Sequence, residues 1–206
     1  MGPTFSTEPK LPAILDHVFL ASSSPRRREL MQEWGYDFEV FPPDDSAECG
    51  ICSRETPPEL VARLAFQKAH DVAKRLIAGW VVGCDTVAEC CGQILGKPKN
   101  RDHAREMLEL LRGREHNVYS GVCIFDWPEK VPHIRVAVTR LAMDAVSNEL
   151  LEEYLNTDGW EGKAGAFGYQ DGLNWVHIVE GSESNVVGLP MEMLGNMFRE
   201  LIEKRL

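Results

Sequence analysis

Short apolar runs of strand length alternate with stretches whose apolar residues recur every three or four positions, and the alternation continues through the chain. Residues 17–21 (His-Val-Phe-Leu-Ala) read as a first strand. Ser24-Pro25 then opens a helix to about residue 32, with Ser at the cap and Pro in the first turn. A second strand over 37–41 stops at Pro42-Pro43, and residues 44–55 have the composition of a loop. Thr56-Pro-Pro-Glu59 is a capping box, and the helix behind it carries Val61, Leu64, Ala65, Val72 and Leu76 on one stripe. Residues 80–84 form a buried-type strand with Asp85 at its carboxyl end. Asn100 caps a helix with Ala104, Met107, Leu108 and Leu111 inward, closed at Gly113. Long strands near 115–126 and 133–144, a helix at 147–156, a Gly-rich loop, a strand at 175–179 and a helix from Pro190 complete the series. The pattern predicts an α/β fold around a mixed sheet.

Charge narrows the function classes. Against 22 Lys and Arg stand 32 Asp and Glu, a net charge of −10 over 206 residues, so a general binder of nucleic acid or anionic lipid is not expected. No apolar run approaches the ~20 residues of a membrane span, and the first residues lack the basic-then-apolar order of a signal peptide. The expectation is a soluble cytoplasmic protein: one domain over residues 16–206 behind a flexible extension, residues 1–15. Six cysteines, among them the Cys49/Cys52 and Cys90/Cys91 pairs, read as reduced thiols, because adjacent cysteines chelate poorly and no His completes a zinc pattern.

Several residues carry potential chemistry. Ser22-Ser-Ser-Pro-Arg-Arg-Arg28 puts three cations at a helix N-terminus, where the dipole already favours negative charge; that arrangement suits a docked anion. Successive side chains fan ~100° apart, so one or two of the arginines reach a single phosphate. Lys68 falls on the inward stripe of its helix, an ammonium aimed into a cleft or snorkelling to the rim. Asp85 stands where α/β sheets place ligands, able to hold Mg²⁺ or to take a proton from water. Lys97 sits in a tight Gly-Lys-Pro turn, and residues 162–172 are Gly-rich without a P-loop or dinucleotide fingerprint. Together these point to a polyphosphate and a divalent metal, and name neither the base nor the bond cleaved.

Leu20-Ala-Ser-Ser-Ser-Pro-Arg-Arg-Arg-Glu-Leu30, Gln67-Lys-Ala69, Gly83-Cys-Asp-Thr86, Gly96-Lys-Pro98, Lys163-Ala-Gly-Ala-Phe-Gly-Tyr-Gln170 and Val187-Gly-Leu-Pro190 resemble, in order and spacing, the Maf family of nucleoside triphosphate pyrophosphatases. The resemblance implies an inosine-triphosphatase-like α/β fold: an elongated mixed sheet with flanking helices and two lobes around a central cleft, in a homodimer. It implies hydrolysis of a nucleoside triphosphate between its α and β phosphates with Mg or Mn. Carried over by position, Asp85 is the catalytic proton acceptor; Lys68 and Lys97 bind phosphate, as do Ser22 and Arg26. The family's second carboxylate, catalytic and metal-binding with Asp85, falls on Glu48, with Asp44 and Asp45 as alternatives. The Cys49–Cys52 insertion and the N-terminal extension depart from the family pattern. Arg26, Thr86 and Gln170 match the uridine/thymidine-type subgroup at all three marker positions, where 7-methylguanosine-type members show Trp, Gln and Glu. The expected substrates are therefore dTTP and UTP; the alternatives are modified purine nucleotides such as 7-methyl-GTP, or a nucleotide-binding regulator of septum formation.

Overall fold

The computed structural model describes residues 17–47 and 54–205. The expected Glu48 carboxylate, the Cys49/Cys52 pair and the extension over residues 1–15 lie outside the described residues. In chain order the elements are β1 (Val18–Ala21), α1 (Pro25–Glu33), β2 (Glu39–Val40), α2 (Pro57–Ala73), β3 (Gly79–Cys90), β4 (Gln93–Leu95), α3 (Arg101–Leu111), β5 (Glu115–Trp127), β6 (Val131–Met143), α4 (Asn148–Leu155), β7 (Val176–Glu180), α5 (Glu183–Val187) and α6 (Met191–Glu203).

Local chemistry sets the helix ends. The Glu59 carboxylate accepts from the Thr56 backbone N–H at 2.9 Å and from its hydroxyl at 2.7 Å, completing the predicted box. Asn100 Oδ1 accepts from the His103 N–H at 2.9 Å, and Ser147 Oγ from the Leu150 N–H at 3.3 Å. On α2, Val61, Ala65 and Val72 are buried and Leu64 half-buried, whereas Leu76 lies beyond the helix, which ends at Ala73.

One mixed sheet runs in the order β2-β1-β3-β5-β6-β7, with β4 beside β3. Strand β1 is parallel to β2 and β3, and every other pairing is antiparallel. The 13-residue strands β5 and β6 form a long hairpin that stretches the sheet. Two lobes follow from where the helices sit. At one end α1 and α6 cover one face, burying Leu20, Met31, Val82, Leu194 and Phe198, while α2 covers the other with Ala65, Ala69 and Val72 against Val81 and Phe125. At the far end α3 and α4 enclose a second core around Leu108, Leu111, Leu141 and Leu155. Each fully buried Leu there contributes about 1.5–3 kcal/mol over its exposed state.

Two findings correct the expected elements. Asp85 does not end a strand, because β3 continues to Cys90 against β5, with Asp85 opposite Gly121. Strand β2 shrinks to two residues, and the short β4 and α5 carry no period by which to predict them.

Candidate functional site

The cleft originates in a break along one edge of β3. On the edge opposite β5, β1 accompanies β3 only as far as the pair Ala21↔Gly83, and β4 takes over at Ala88↔Leu95. Residues 84–87 therefore have an uncovered edge between a parallel and an antiparallel neighbour, the kind of switch point where sheets of this class bind ligands. Asp85 and Thr86 are successive strand residues and point to opposite faces. A cavity of about 390 Å³ wraps this gap and reaches both.

On the α2 face, Lys68 Nζ lies 2.6 Å from Asp85 Oδ1, with the two side chains 5% and 14% exposed. Two glycines allow this approach. A Cβ on Gly83 would strike the Ala65 carbonyl oxygen, and one on Gly121 would strike that of Val61, so the backbone of α2 rests directly on the sheet. That contact depth delivers Lys68 to a carboxylate on the strand below.

The other face is built by the turn after β1 and by α1. Ser22 is buried, and its Oγ accepts from the Ser24 N–H at 3.1 Å. Arg26 and Arg27 line the cleft, while Arg28 is exposed outside it, as the ~100° fan requires. Arg26 donates to the Gly162 carbonyl at 3.0 Å; burial and the neighbouring Arg27 charge pull its pKa below the usual guanidinium value. An anion in the cleft would relieve that repulsion. Arg27 donates from Nε to the Gly188 carbonyl at 2.8 Å, from Nη1 to Ser22 Oγ at 3.4 Å and from Nη2 to Thr86 Oγ1 at 3.2 Å.

The far-lobe wall is the loop over residues 162–172, two short 3-10 turns that bring Phe167, Tyr169 and Gln170 to the cleft. The Gly165 N–H donates to the Gly96 carbonyl at 3.1 Å, tying this loop to the turn that presents Lys97. The Tyr154 hydroxyl accepts from the Gly168 N–H at 3.2 Å, and burial raises its pKa. Lys163 also lines the cleft and pairs with Asp171.

Ser22, Arg26, Lys68, Asp85, Thr86, Lys97 and Gln170 thus reach one cavity, whereas Asp44 and Asp45, the alternatives for the second carboxylate, do not line it. Sequence reasoning assigned no role to Arg27, Lys163 or Gly188, although all three sit inside the quoted motifs. Among the described residues, the lining holds five cations (Arg26, Arg27, Lys68, Lys97, Lys163) and two carboxylates (Asp85, Glu161), in a chain whose net charge is −10. Such a surplus suits a ligand carrying several negative charges.

No group of three or more His, Cys, Asp or Glu side chains that could hold a metal ion occurs among the described residues. A cage made of protein ligands alone is thus not found there. Mg²⁺, which is commonly held by one or two carboxylates together with substrate phosphates, remains compatible with Asp85 in this setting. The remaining thiols described are free; Cys84, Cys90 and Cys123 are buried and Cys91 exposed.

Known proteins resemble the chain over most of its length. The chain is 55% identical over 183 residues to a dTTP/UTP pyrophosphatase of Rhodopirellula baltica, covering 88% of this chain and 81% of that one. It is 37% identical over 189 residues to a dTTP/UTP pyrophosphatase of Ruminiclostridium cellulolyticum, covering 91% and 97%. Among solved structures, a nucleoside-triphosphatase / dITP/XTP pyrophosphatase from Mycobacterium abscessus is 13% identical, with a TM-score of 0.44 over 91% of this chain and 98% of that one. The family described as Maf-like protein matches residues 17–201, the span that contains both lobes and the whole described cleft, and the chain belongs to that family.

Proposed function

We propose that this protein is a nucleoside triphosphate pyrophosphatase that cleaves dTTP and UTP between the α and β phosphates, releasing the monophosphate and pyrophosphate. The observation that carries the reading is the Asp85–Lys68 pair at the bottom of a cation-lined cleft in a Maf-family chain. The names of the relatives and the three marker residues Arg26, Thr86 and Gln170 favour the uracil and thymine nucleotides.

In this reading Arg26, Lys97 and the Ser22 turn hold the triphosphate through charge-assisted hydrogen bonds. Asp85 accepts the proton of the attacking water, and Lys68, bonded to one of its oxygens, fixes the carboxylate's orientation. A divalent cation held by Asp85 and the phosphates, with Glu48 as second carboxylate, would supply charge neutralisation at the scissile bridge. Gln170, with an amide donor and an acceptor, complements the N3–H and carbonyl oxygens of uracil or thymine. We further propose a cytoplasmic homodimer that acts on free nucleotides rather than on nucleic acid or membranes. The acidic net charge argues against nucleic acid and anionic membranes as partners, and no described helix is long and apolar enough to cross a membrane.

Pyrophosphate release across a nucleotide panel with Mg²⁺ or Mn²⁺ tests the reading. UTP and dTTP should be the best substrates, CTP poorer because its O4 acceptor becomes an amino donor, and purine triphosphates poorer still. EDTA should abolish turnover without unfolding the chain. Preference for 7-methyl-GTP over UTP would overturn the substrate assignment, and indifference to EDTA the metal.

A further inference from the structure

Thr86 is a subgroup marker, yet its hydroxyl is engaged by the protein itself. Thr86 Oγ1 lies 2.8 Å from Ser120 Oγ and 3.2 Å from both Arg27 Nη2 and the Gly188 carbonyl oxygen. Ser120 is fully buried on β5, directly opposite Thr86 in the register, and does not line the cleft. Its hydroxyl also reaches the Asn185 carbonyl at 3.4 Å.

Thr86 is placed to donate to the Gly188 carbonyl, but its proton can also go elsewhere, so that the carbonyl is not overfilled. The Gly188 carbonyl has two lone pairs, and two donors other than Thr86 point at it: Arg27 Nε at 2.8 Å and the Cys84 thiol at 3.3 Å. Thr86 then gives its single proton to Ser120, Ser120 gives its own to Asn185, and Thr86 accepts from Arg27. Every hydroxyl in the row donates once. The Thr86 proton thus stays within the protein, so Thr86 could meet a base only as an acceptor, while Arg27 is gripped at three points. A guanidinium carries five N–H groups, so two remain for the cleft. The mount is anchored in the sheet twice. Besides Ser120, the buried Asn185 Nδ2 donates to the Val118 carbonyl at 3.1 Å and to Thr139 Oγ1 at 2.9 Å, fixing α5 and the Gly188 that follows it.

We infer that Ser120 is a positioning residue for Arg27, and that Thr86 acts on substrate through the same guanidinium, at the phosphates, rather than by hydrogen bonding to the base. The inference rests on the pyrophosphatase reading for its ligand, and its test reads binding separately from turnover.

Calorimetric titration with inorganic tripolyphosphate, which has no base, measures the phosphate end alone. Losing one charge-assisted hydrogen bond's worth of order should weaken tripolyphosphate by about five- to tenfold in Ser120→Ala and in Thr86→Val, with Thr86→Ser close to wild type. In an Arg27→Ala background, Ser120→Ala should add less than about twofold, since coupled residues are non-additive. The ratio of UTP to CTP kcat/KM should stay within about twofold of wild type in Thr86→Val, because a residue acting at the phosphates affects both nucleotides alike. Tripolyphosphate affinity unchanged in both single variants, or an undiminished Ser120→Ala effect without Arg27, would overturn the inference. So would a UTP/CTP ratio that collapses in Thr86→Val. Wild-type protein that binds tripolyphosphate but cleaves no nucleotide would instead refute the pyrophosphatase reading, leaving the mount for Arg27 to be judged on the same titrations.

Discussion

Removing the charge on Asp85 while keeping its shape is the sharpest test at the scale of single residues. Its carboxylate accepts from Lys68 at 2.6 Å in a nearly enclosed corner, and an amide oxygen can accept that same bond. Asp85→Asn should therefore fold with a thermal midpoint near wild type, while pyrophosphate release falls at least about a hundredfold with the loss of a proton acceptor. Near-normal turnover would remove Asp85 from the chemistry. Gln170 is exposed at the cleft wall, so Gln170→Glu exchanges an amide donor for acceptor oxygens without disturbing a core. UTP turnover should fall and the order of preference among bases should shift; a uniform fall for every nucleotide would reduce Gln170 to a brace for its loop. Lys68 was legible because a lysine on an apolar stripe needs a reason, and the reason is Asp85. Arg27 was not, since three consecutive arginines look alike until the direction of α1 turns two inward. Ser120 carried no signal at all: a lone small hydroxyl in an apolar strand belongs to no motif.

Elements matter here through how closely they approach. Helix α2 lies on β3 and β5 at the two places where a side chain is missing, Gly83 and Gly121, and the second of these faces Asp85 across the ladder. Gly83→Ala should force α2 outward against the Ala65 carbonyl, costing about 1–3 kcal/mol as overpacking does. Because the same shift draws Lys68 away from Asp85, turnover should fall by more than the loss of stability explains. Urea denaturation paired with pyrophosphate release at a temperature where the variant is fully folded checks this; a variant equal to wild type in both would show that the close contact is dispensable. Most helices were readable from caps and stripes, with Thr56, Asn100 and Ser147 starting helices as expected. Asp85 was misplaced at a strand end because the apolar run stops at Cys84, where the edge of β3 becomes uncovered. The backbone nevertheless continues, since β5 pairs it on the other side through Glu89. A break in pairing along one edge leaves no trace in hydrophobic periodicity, so the cleft's origin was not visible before the sheet was.

A buried histidine behind the cleft wall gives the whole fold a dependence on pH. His116, on β5, is 2% exposed within the far core, and its ring meets Phe167 of the cleft wall edge-on at 5.4 Å between centroids. Burial lowers its pKa to about 4. In the unfolded chain the same group takes up its proton near 6.5, so between those values the unfolded state binds more protons than the folded one. The contribution of neutral His116 is thus fully present above pH 6.5 and is lost as pH falls towards 4, by up to about 3 kcal/mol for a shift of this size. Carboxylates such as Glu152, held below the usual range chiefly by its hydrogen bond from Arg101, also weaken the fold in acid, so the wild-type slope alone does not isolate the histidine. His116→Phe removes the titration and keeps an aromatic against Phe167. Urea midpoints at pH 7.5, 5.5 and 4.5 should converge towards one another in the variant relative to wild type, with the difference between the two proteins growing only below pH 6.5. Parallel stability curves for the two proteins across that range would show that His116 does not titrate with folding.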